Sequence, residues 1–515
     1  MTIRYTPSAR SDLQEISPLP DPYRMDTSRA FECGMLTHVA ASGWRGSRIT
    51  DSLRRGLFCG GRDGSCARSR IVWGRAAAKK GQQLLGRMVL RRTVTVKRLG
   101  GDEAGEKAFG RFLRNQRVTE TELIAEARSH LLTQVAGRRV LAIQDTTEIN
   151  FSQHKRGKAS FGTGGNGVDP AFLVHPVLVV DADSGVILGL LDAQLWERHG
   201  PVSQDPKRTT DEKESRRWLV GAEAAALLRE AGAISVTVVA DREGDLYPAF
   251  ARRPAKVELL VRAQTDRVLA DGGHLFSHLD SMPVADQFFL DLPAVPGRAA
   301  RRAKMVLRFG PVRLARPGHN ADRGLPKSVM LYALDVREID PPAGIEPIHW
   351  RLLSSAAIET LAAVHQAIAD YRRRWHIEQL FRTVKSQGLS IEQSQIETLP
   401  VLRKLAIVAL RAAVVCMQLV HARGGADHRP VTAAFQNEDV KVLEAIAPTV
   451  DGRTDRLRNP FPPRSLAWAA WIIARLGGWN GARNGKPAGP ITMHRGLQCF
   501  HAIAHGFRLK DVSIR

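Results

Sequence analysis

The chain has 515 residues, with 75 Lys and Arg against 52 Asp and Glu, for a formal net charge of +23. That length exceeds what one hydrophobic core sustains and predicts two to four domains, and the charge far exceeds what solubility requires, favouring a phosphate polyanion, nucleic acid, as partner through counterion release. The five cysteines (33, 59, 66, 416 and 499) form no CxxC pair and have no histidines at zinc spacing, which excludes a disulfide scaffold or zinc site and suits a reducing compartment.

Residues 1–66 are rich in Gly, Arg, Ser and Pro with little periodicity and are expected to be poorly ordered; they lack the apolar core of a signal peptide, which predicts a cytoplasmic protein. Arg68 to Arg98 follows with ten Lys and Arg and no acid. Within it Arg91, Arg92, Lys97 and Arg98 are candidate phosphate contacts. Apolar residues at helical spacing among these bases predict a small helical DNA-binding domain over 67–136, with Thr119 and Glu122 spaced as a capping box.

The period then changes. VLAIQD, HPVLVVDADSGVILGLLDAQLW and ISVTVVAD read as strands, the second folded into a hairpin at Asp-Ser-Gly, with a helix at Arg216 to Ala231 before the third. The fold class is therefore α/β. Residues 255–350 hold further β-like runs without a strong helix, as expected of a β-rich insertion. Helical patterns resume at Ile358 to Lys385 and Val401 to Arg423, and 430–515 also reads as helical. The most apolar stretch, Leu405 to Val420, is broken by Arg411 and Gln418 and predicts a buried helix rather than a membrane span.

Asp145 and Asp241 each follow an apolar run, which puts both at the C-terminal ends of buried strands, the usual ligand edge of an α/β sheet. Singly, either is as well explained as a turn or cap. A third acid strengthens the case: Tyr371, Arg374, Glu378, Arg382 and Lys385 step by 3, 4, 4 and 3, a narrow stripe on a helix beside the apolar Ile377, Leu380, Phe381 and Val384. A helix burying the apolar stripe against the sheet would aim Glu378 along the edge that carries the two aspartates. Three carboxylates so placed could share divalent cations that hold a DNA phosphate.

The spacing Y-x2-R-x3-E-x6-K over Tyr371, Arg374, Glu378 and Lys385 resembles the YREK signature of the bacterial cut-and-paste DDE transposases of the insertion-sequence-four family. IQDTT (143–147) and VADREGDLY (239–247) resemble the blocks around that family's first and second catalytic Asp. KESRRW (213–218) and AFGRFLRN (108–115) resemble two more of its segments, and the likeness spans about residues 75 to 510. It implies an RNase H-like catalytic domain over 137–395 with the β-rich insertion, and a helical dimerisation domain over 396–515. It further implies that Asp145, Asp241 and Glu378 hold two Mg²⁺ ions, replaceable by Mn²⁺, for in-line phosphoryl transfer. On the same resemblance a homodimer binds inverted-repeat ends of double-stranded DNA, cuts them through a hairpin, and joins the 3′-OH ends to target DNA. Trp350 stacks on a flipped base, Arg374, Lys385 and Tyr371 hold phosphate near the scissile bond, and Arg111 and Arg262 contact the DNA backbone.

The stretch upstream of Ala76 departs from the family's usual Gly-Asp-x-Arg opening. The alternative reading is accordingly a catalytically impaired DNA-binding copy that inhibits transposition. Gly162 to Gly167 (GTGGNG) lacks the Lys-Ser/Thr of a phosphate loop and is read as a turn, with no nucleotide cofactor expected; His154, His175 and His376 lack metal spacing and are read as structural.

Overall fold

The computed structural model describes residues 75–510, apart from 200–207, 293–298, 319–321, 481–487 and positions 159, 323, 387, 426, 428, 436, 453, 455 and 456. The expected loose segment over 1–66 lies outside the described residues. The described residues open with four helices, α1 (Arg75–Arg91), α2 (Val96–Gly100), α3 (Glu103–Arg114) and α4 (Glu120–Leu132). Two of the starts have a local cause: the Asp102 side chain accepts from Gly105 N at 2.7 Å to cap α3, and Thr119 and Glu122 form the reciprocal capping box of α4. α2 and α3 pack so closely that a Cβ on Gly100 would lie 2.3 Å from the backbone nitrogen of Glu106.

Next come β1 (Arg139–Gln144), β2 (Thr147–Asn150), β3 (Ala171–Asp181) and β4 (Ile187–Trp196), then α5 (Arg216–Glu230), β5 (Ser235–Ala240), α6 (Tyr247–Ala251) and β6 (Glu258–Arg262). The hairpin between β3 and β4 turns where expected: Asp181 accepts from the Asp183 and Ser184 amides, and Gly185 takes φ +72°. α7 (Leu275–Ser281), β7 (Asp286–Leu292), β8 (Arg301–Ala315), β9 (Ser328–Ile339) and β10 (His349–Ser354) follow. The chain closes with α8 (Leu361–Arg372), α9 (Trp375–Lys385), α10 (Leu399–Ala422), α11 (Asn437–Val450), α12 (Leu466–Leu476) and α13 (Pro490–Lys510).

Among the described residues ten strands form one mixed sheet in the order β2-β3-β1-β5-β6-β10-β9-β8-β7, with β4 on the other edge of β3. β1, β5 and β6 are parallel neighbours; the remaining pairings are antiparallel. Helices cover both faces. Leu141, Ile143, Val239 and Leu260 belong to the core under α8, α9 and α10, whereas Val140, Ala142, Val236 and Val238 belong to the core under α5. β3, central and covered on both sides, is buried along its whole length, so its sequence is apolar throughout rather than alternating.

Three features differ from the sequence reading. The strands of 255–350 extend the main sheet, β10 pairing directly with β6, and they enclose one short helix, α7. The expected helix from Ile358 to Lys385 is two helices that meet at Arg373 and Arg374. The N- and C-terminal helices share one core with a face of the sheet: Leu84, Phe109, Leu410, Ile473 and Phe500 fall in a single cluster. α10 runs through its middle. It is long and apolar enough to cross a membrane by length and composition, but it packs against α1, α4, α9 and β4, and the two polar residues that interrupt its Leu405 to Val420 stretch have partners inside. Gln418 donates to the Ile187 and Leu188 carbonyls of β4 at 3.1 Å, and Arg411 pairs with Glu126 at 2.8 Å.

Candidate active site

The parallel strands place a row of charged side chains at one level. Ile143, Val239 and Leu260 are in register across β1, β5 and β6, so Asp145, Asp241 and Arg262, each two residues on, come level at the C-terminal edge and on the same face. Asp145 sits in a break of the ladder. Gln144 pairs with Val177 and Thr147 with Val174, so β1 and β2 keep one register along β3, and Asp145 faces Pro176, which has no N–H to give. Freed from the ladder, Asp145 accepts from Thr146 N through Oδ1 at 2.7 Å. Asp241 opens a 3₁₀ turn and accepts from Glu243 N at 3.0 Å.

α9 lies across this edge. Its apolar stripe, Ile377, Leu380, Phe381 and Val384, is buried as expected, and Glu378 is fully buried with it. Arg374, at the start of α9, donates through one nitrogen to Asp145 Oδ2 at 3.1 Å and to Glu378 Oε1 at 3.4 Å. Burial first, then the charges of Asp241 and Glu378, push the Asp145 carboxyl well above the usual carboxylate range, against the opposing pull of Arg374. Three carboxylates thus lie near enough to act on one another's charge, with one guanidinium bridging two of them.

This donor set fits hard divalent cations, which take carboxylate oxygens, and the excess negative charge is what such ions neutralise. Among the described residues no group of three His, Cys, Asp or Glu side chains is close enough to form a ready metal cage. Arg374, which bridges Asp145 and Glu378, stands where such a cage would have to close.

The other expected residues divide into two groups. Arg262 is buried, its Nη2 donating to the His349 carbonyl at 2.9 Å. Tyr371 and Trp350 are buried against each other, ring centroids 6.1 Å apart, and Trp350 is 1% exposed. In this conformation Trp350 is a core residue of β10 and presents no face on which a base could stack. Lys385 is also buried, and its ion pair, 3.7 Å long, is with Glu392; burial lowers its pKa, opposed by Glu392 and Glu148. Arg91, Lys97, Arg98 and Arg111 are exposed on the N-terminal helices, whereas Arg92 is half-buried, its guanidinium turned toward Gly388.

His154 is exposed, His175 is enclosed beneath α5, and His376 packs against His421 with ring centroids 5.1 Å apart. Gly162 to Gly167 does turn the chain into β3, held by Gly165 N donating to Glu148 at 2.6 Å. The two described cysteines, Cys416 and Cys499, are free. Sequence reasoning missed Thr146, Glu243 and Arg217, which surround the two aspartates. The signal available was an arginine beside Trp218 in a segment whose other residues read as an ordinary helix start.

Residues 185–415 match the family model described as transposase DDE domain. The matched segment is a little under half of the chain and holds Asp241 and Glu378, with Asp145 upstream of it. The match supports a DDE transposase, and with it DNA as the partner and a DNA-cleaving, strand-transferring enzyme.

Proposed function

We propose that the chain is a cut-and-paste transposase of the insertion-sequence-four kind, whose reacting centre is Asp145, Asp241 and Glu378. The observation that carries this is the convergence of those three acids, from β1, β5 and α9, at one sheet edge. The strand order, with antiparallel β4, β3 and β1 followed by parallel β5 and β6, supports an RNase H-like core over 137–395. The YREK spacing supports the family, an N-terminal DNA-binding segment over 67–136, a C-terminal dimerisation segment over 396–515, and a homodimer that pairs two ends, acting where the DNA lies in the cytoplasm.

The three carboxylates would hold Mg²⁺, or Mn²⁺ in its place, and two such ions would supply the Lewis acidity that activates an attacking oxygen and stabilises a leaving one. The chain's own residues do the rest. The sheet edge fixes Asp145 and Asp241 through their strand ends, and α9 brings Glu378 from the opposite side. Arg374 neutralises the acids while they are without cations, and on reorientation it is positioned to hold phosphate near the scissile bond, with Lys385 and Tyr371 farther along the same stripe. Arg262, level with the aspartates, adds positive charge on the side of β10. Strand cleavage would give a 3′-OH, a hairpin at the element end, and finally joining to a second duplex.

The test uses full-length protein and duplex DNA carrying the sequences that flank its gene. Wild-type protein with Mg²⁺ should nick, form hairpins and join ends, and EDTA should stop all three. Glu378→Gln should abolish cleavage while leaving salt-sensitive DNA binding intact. Cleavage by Glu378→Gln at the wild-type rate removes Glu378 from the centre. Binding without cleavage by the wild type favours the non-catalytic inhibitor.

A further inference from the structure

Behind the aspartates, on the face of the sheet covered by α5, lies a buried polar network that none of the chemistry above uses. Arg217, in the first turn of α5 and within KESRRW, has a side chain only 12% exposed. Each of its nitrogens has a partner. Nε donates to Thr146 Oγ1 at 2.8 Å, Nη1 to the Glu214 carbonyl at 3.0 Å, and Nη2 to Glu243 Oε2 at 2.8 Å. Its guanidinium carbon lies 5.6 and 5.4 Å from the ring centroids of Trp196 and Trp218. Thr146 follows Asp145 in the chain, and Glu243 supplies the N–H that Asp241 accepts. One planar group therefore grips both strand ends, and because the fork of a guanidinium is rigid, it sets their separation.

Thr146 is held from the other side as well, and the direction of every bond follows from its neighbours. Gln144 Nε2 donates to the Trp218 carbonyl at 3.2 Å, which leaves Oε1 to accept from His175 Nε2 at 3.1 Å. A neutral His175 with its proton on Nε2 has a bare Nδ1, and that nitrogen accepts a hydrogen bond from the Thr146 hydroxyl at 2.9 Å. The hydroxyl oxygen is then free to accept from Arg217. Burial, with Arg217 nearby, lowers the His175 pKa well below its ordinary value and keeps the ring neutral. The Nδ1–H tautomer would set a bare Nε2 against the Gln144 oxygen, two acceptors, and a protonated ring would take away the acceptor of the Thr146 hydroxyl proton.

We propose that Arg217 is a positioning residue that locks the strand ends carrying Asp145 and Asp241 to one another, with Thr146 and Glu243 as its two grips and His175 as the fixed stop behind Thr146. This rests on the assignment of both aspartates to the reacting centre. A merely structural Arg217 would stabilise α5 and leave cation binding alone; a positioning Arg217 makes the carboxylates' geometry, and so their cation affinity, depend on the fork.

The experiment uses full-length protein and Mn²⁺ as the probe, with binding read by electron paramagnetic resonance in the absence of DNA. Arg217→Gln and Arg217→Lys should both weaken Mn²⁺ binding about tenfold or more, the range over which residues supporting metal ligands act. Lysine keeps the charge but not the fork, so its failure to rescue separates geometry from field. Thr146→Val, which removes one hydroxyl and leaves the guanidinium and its grip on Glu243 in place, should weaken binding in a chain that still folds but melts lower, because Arg217 Nε and His175 Nδ1 lose a partner, and it keeps the test decisive should the Arg217 variants fail to fold. ¹⁵N shifts of histidine-labelled wild-type protein should show His175 neutral with its proton on Nε2, and Thr146→Val should mix the tautomers. Wild-type Mn²⁺ affinity in folded Arg217→Lys or in Thr146→Val, or a protonated or Nδ1–H His175, overturns the proposal. Asp145→Asn serves as the control. If it leaves Mn²⁺ binding unchanged, the reading of the centre falls and this proposal with it, an outcome distinct from loss in Asp145→Asn with none in the Arg217 variants.

Discussion

Arg374 is enclosed among carboxylates that the sheet edge and α9 hold out of water, and in the metal-free protein its guanidinium is what offsets their repulsion. Taking away one partner of a buried ion pair costs about 3–5 kcal/mol, because the other is left buried and uncompensated. In EDTA, Arg374→Ala should lower the urea midpoint strongly, and Glu378→Gln, which removes a like charge, should lower it less; the opposite order would dismiss Arg374 as the internal counterion. Asp145 adds a pH signature. Its carboxyl is raised from the ordinary 3.8, so the folded chain keeps a proton that the unfolded chain gives up. That contribution is complete below pH 3.8 and is lost as pH rises through the folded value. Metal-free stability against pH should therefore lose this downward slope in Asp145→Asn. Trp350→Ala, which empties a core site between β10 and α8, should cost about 3–5 kcal/mol in denaturant unfolding, and Trp350→Phe much less. If Trp350→Ala instead unfolds like the wild type and stalls only at the hairpin, the indole leaves the core to stack on a base. At this scale the acids were legible because an Asp after an apolar run marks a strand end. The inward turn of Arg374 was not, since its partner Asp145 lies 229 positions away in the chain and only the folded sheet brings them together.

α9 and α10 meet through His376 and His421, whose ring centroids lie 5.1 Å apart with the planes tilted by 34°. Burial lowers the first to about 4, the backbone bond to Arg373 partly opposing, and burial followed by His376 and Arg423 lowers the second to about 3. Both groups have folded pKa values below the unfolded 6.5, so the unfolded chain binds more protons between those limits. The neutral pair is fully compatible with the fold above pH 6.5, and stability falls as pH drops from 6.5 toward 4, at up to about 1.4 kcal/mol per pH unit for each ring. Urea unfolding at a series of pH values should show this slope, and His421→Phe should roughly halve it; an unchanged slope would place the acid sensitivity elsewhere. Elements of this kind were readable wherever their cause is local. The α4 capping box, the β3–β4 turn and the apolar stripe of α9 all stand where residue type and spacing put them. The joint between α8 and α9 was invisible because Arg373 and Arg374 are good helix formers, and the helix ends there for a tertiary reason, the burial of Arg374 toward Asp145. The pairing of β10 with β6 was equally hidden: the two lie some 90 positions apart and no turn signal connects them.

The excess positive charge belongs to the molecule as a whole, but its accessible part is uneven, and this decides how DNA affinity should respond to salt. Composition alone treated Arg91, Arg92, Lys97 and Arg98 as equivalent. Packing separates them, because the N-terminal helices share a core with α10 and α13 instead of standing apart on a core of their own. That shared core draws Arg92 inward toward Gly388, while Arg91, Lys97 and Arg98 remain in solvent, with Arg91 also donating to the Arg98 carbonyl. A cation released from the phosphate atmosphere requires a side chain that reaches phosphate, and each such contact steepens the log-log dependence of affinity on salt by about 0.9. Replacing Arg91, Lys97 and Arg98 together with Gln should thus flatten the slope by up to about 2.7 and weaken binding to all duplex sequences alike, since phosphate contacts position a protein without reading bases. Arg92→Gln should leave the slope nearly untouched and show its effect in the thermal midpoint instead. Filter binding between 50 and 200 mM salt, a window in which a protein making several phosphate contacts loses orders of magnitude in affinity, measures both. A triple variant with the wild-type slope would mean that this face points away from DNA and that basic surface elsewhere on the molecule carries the contacts.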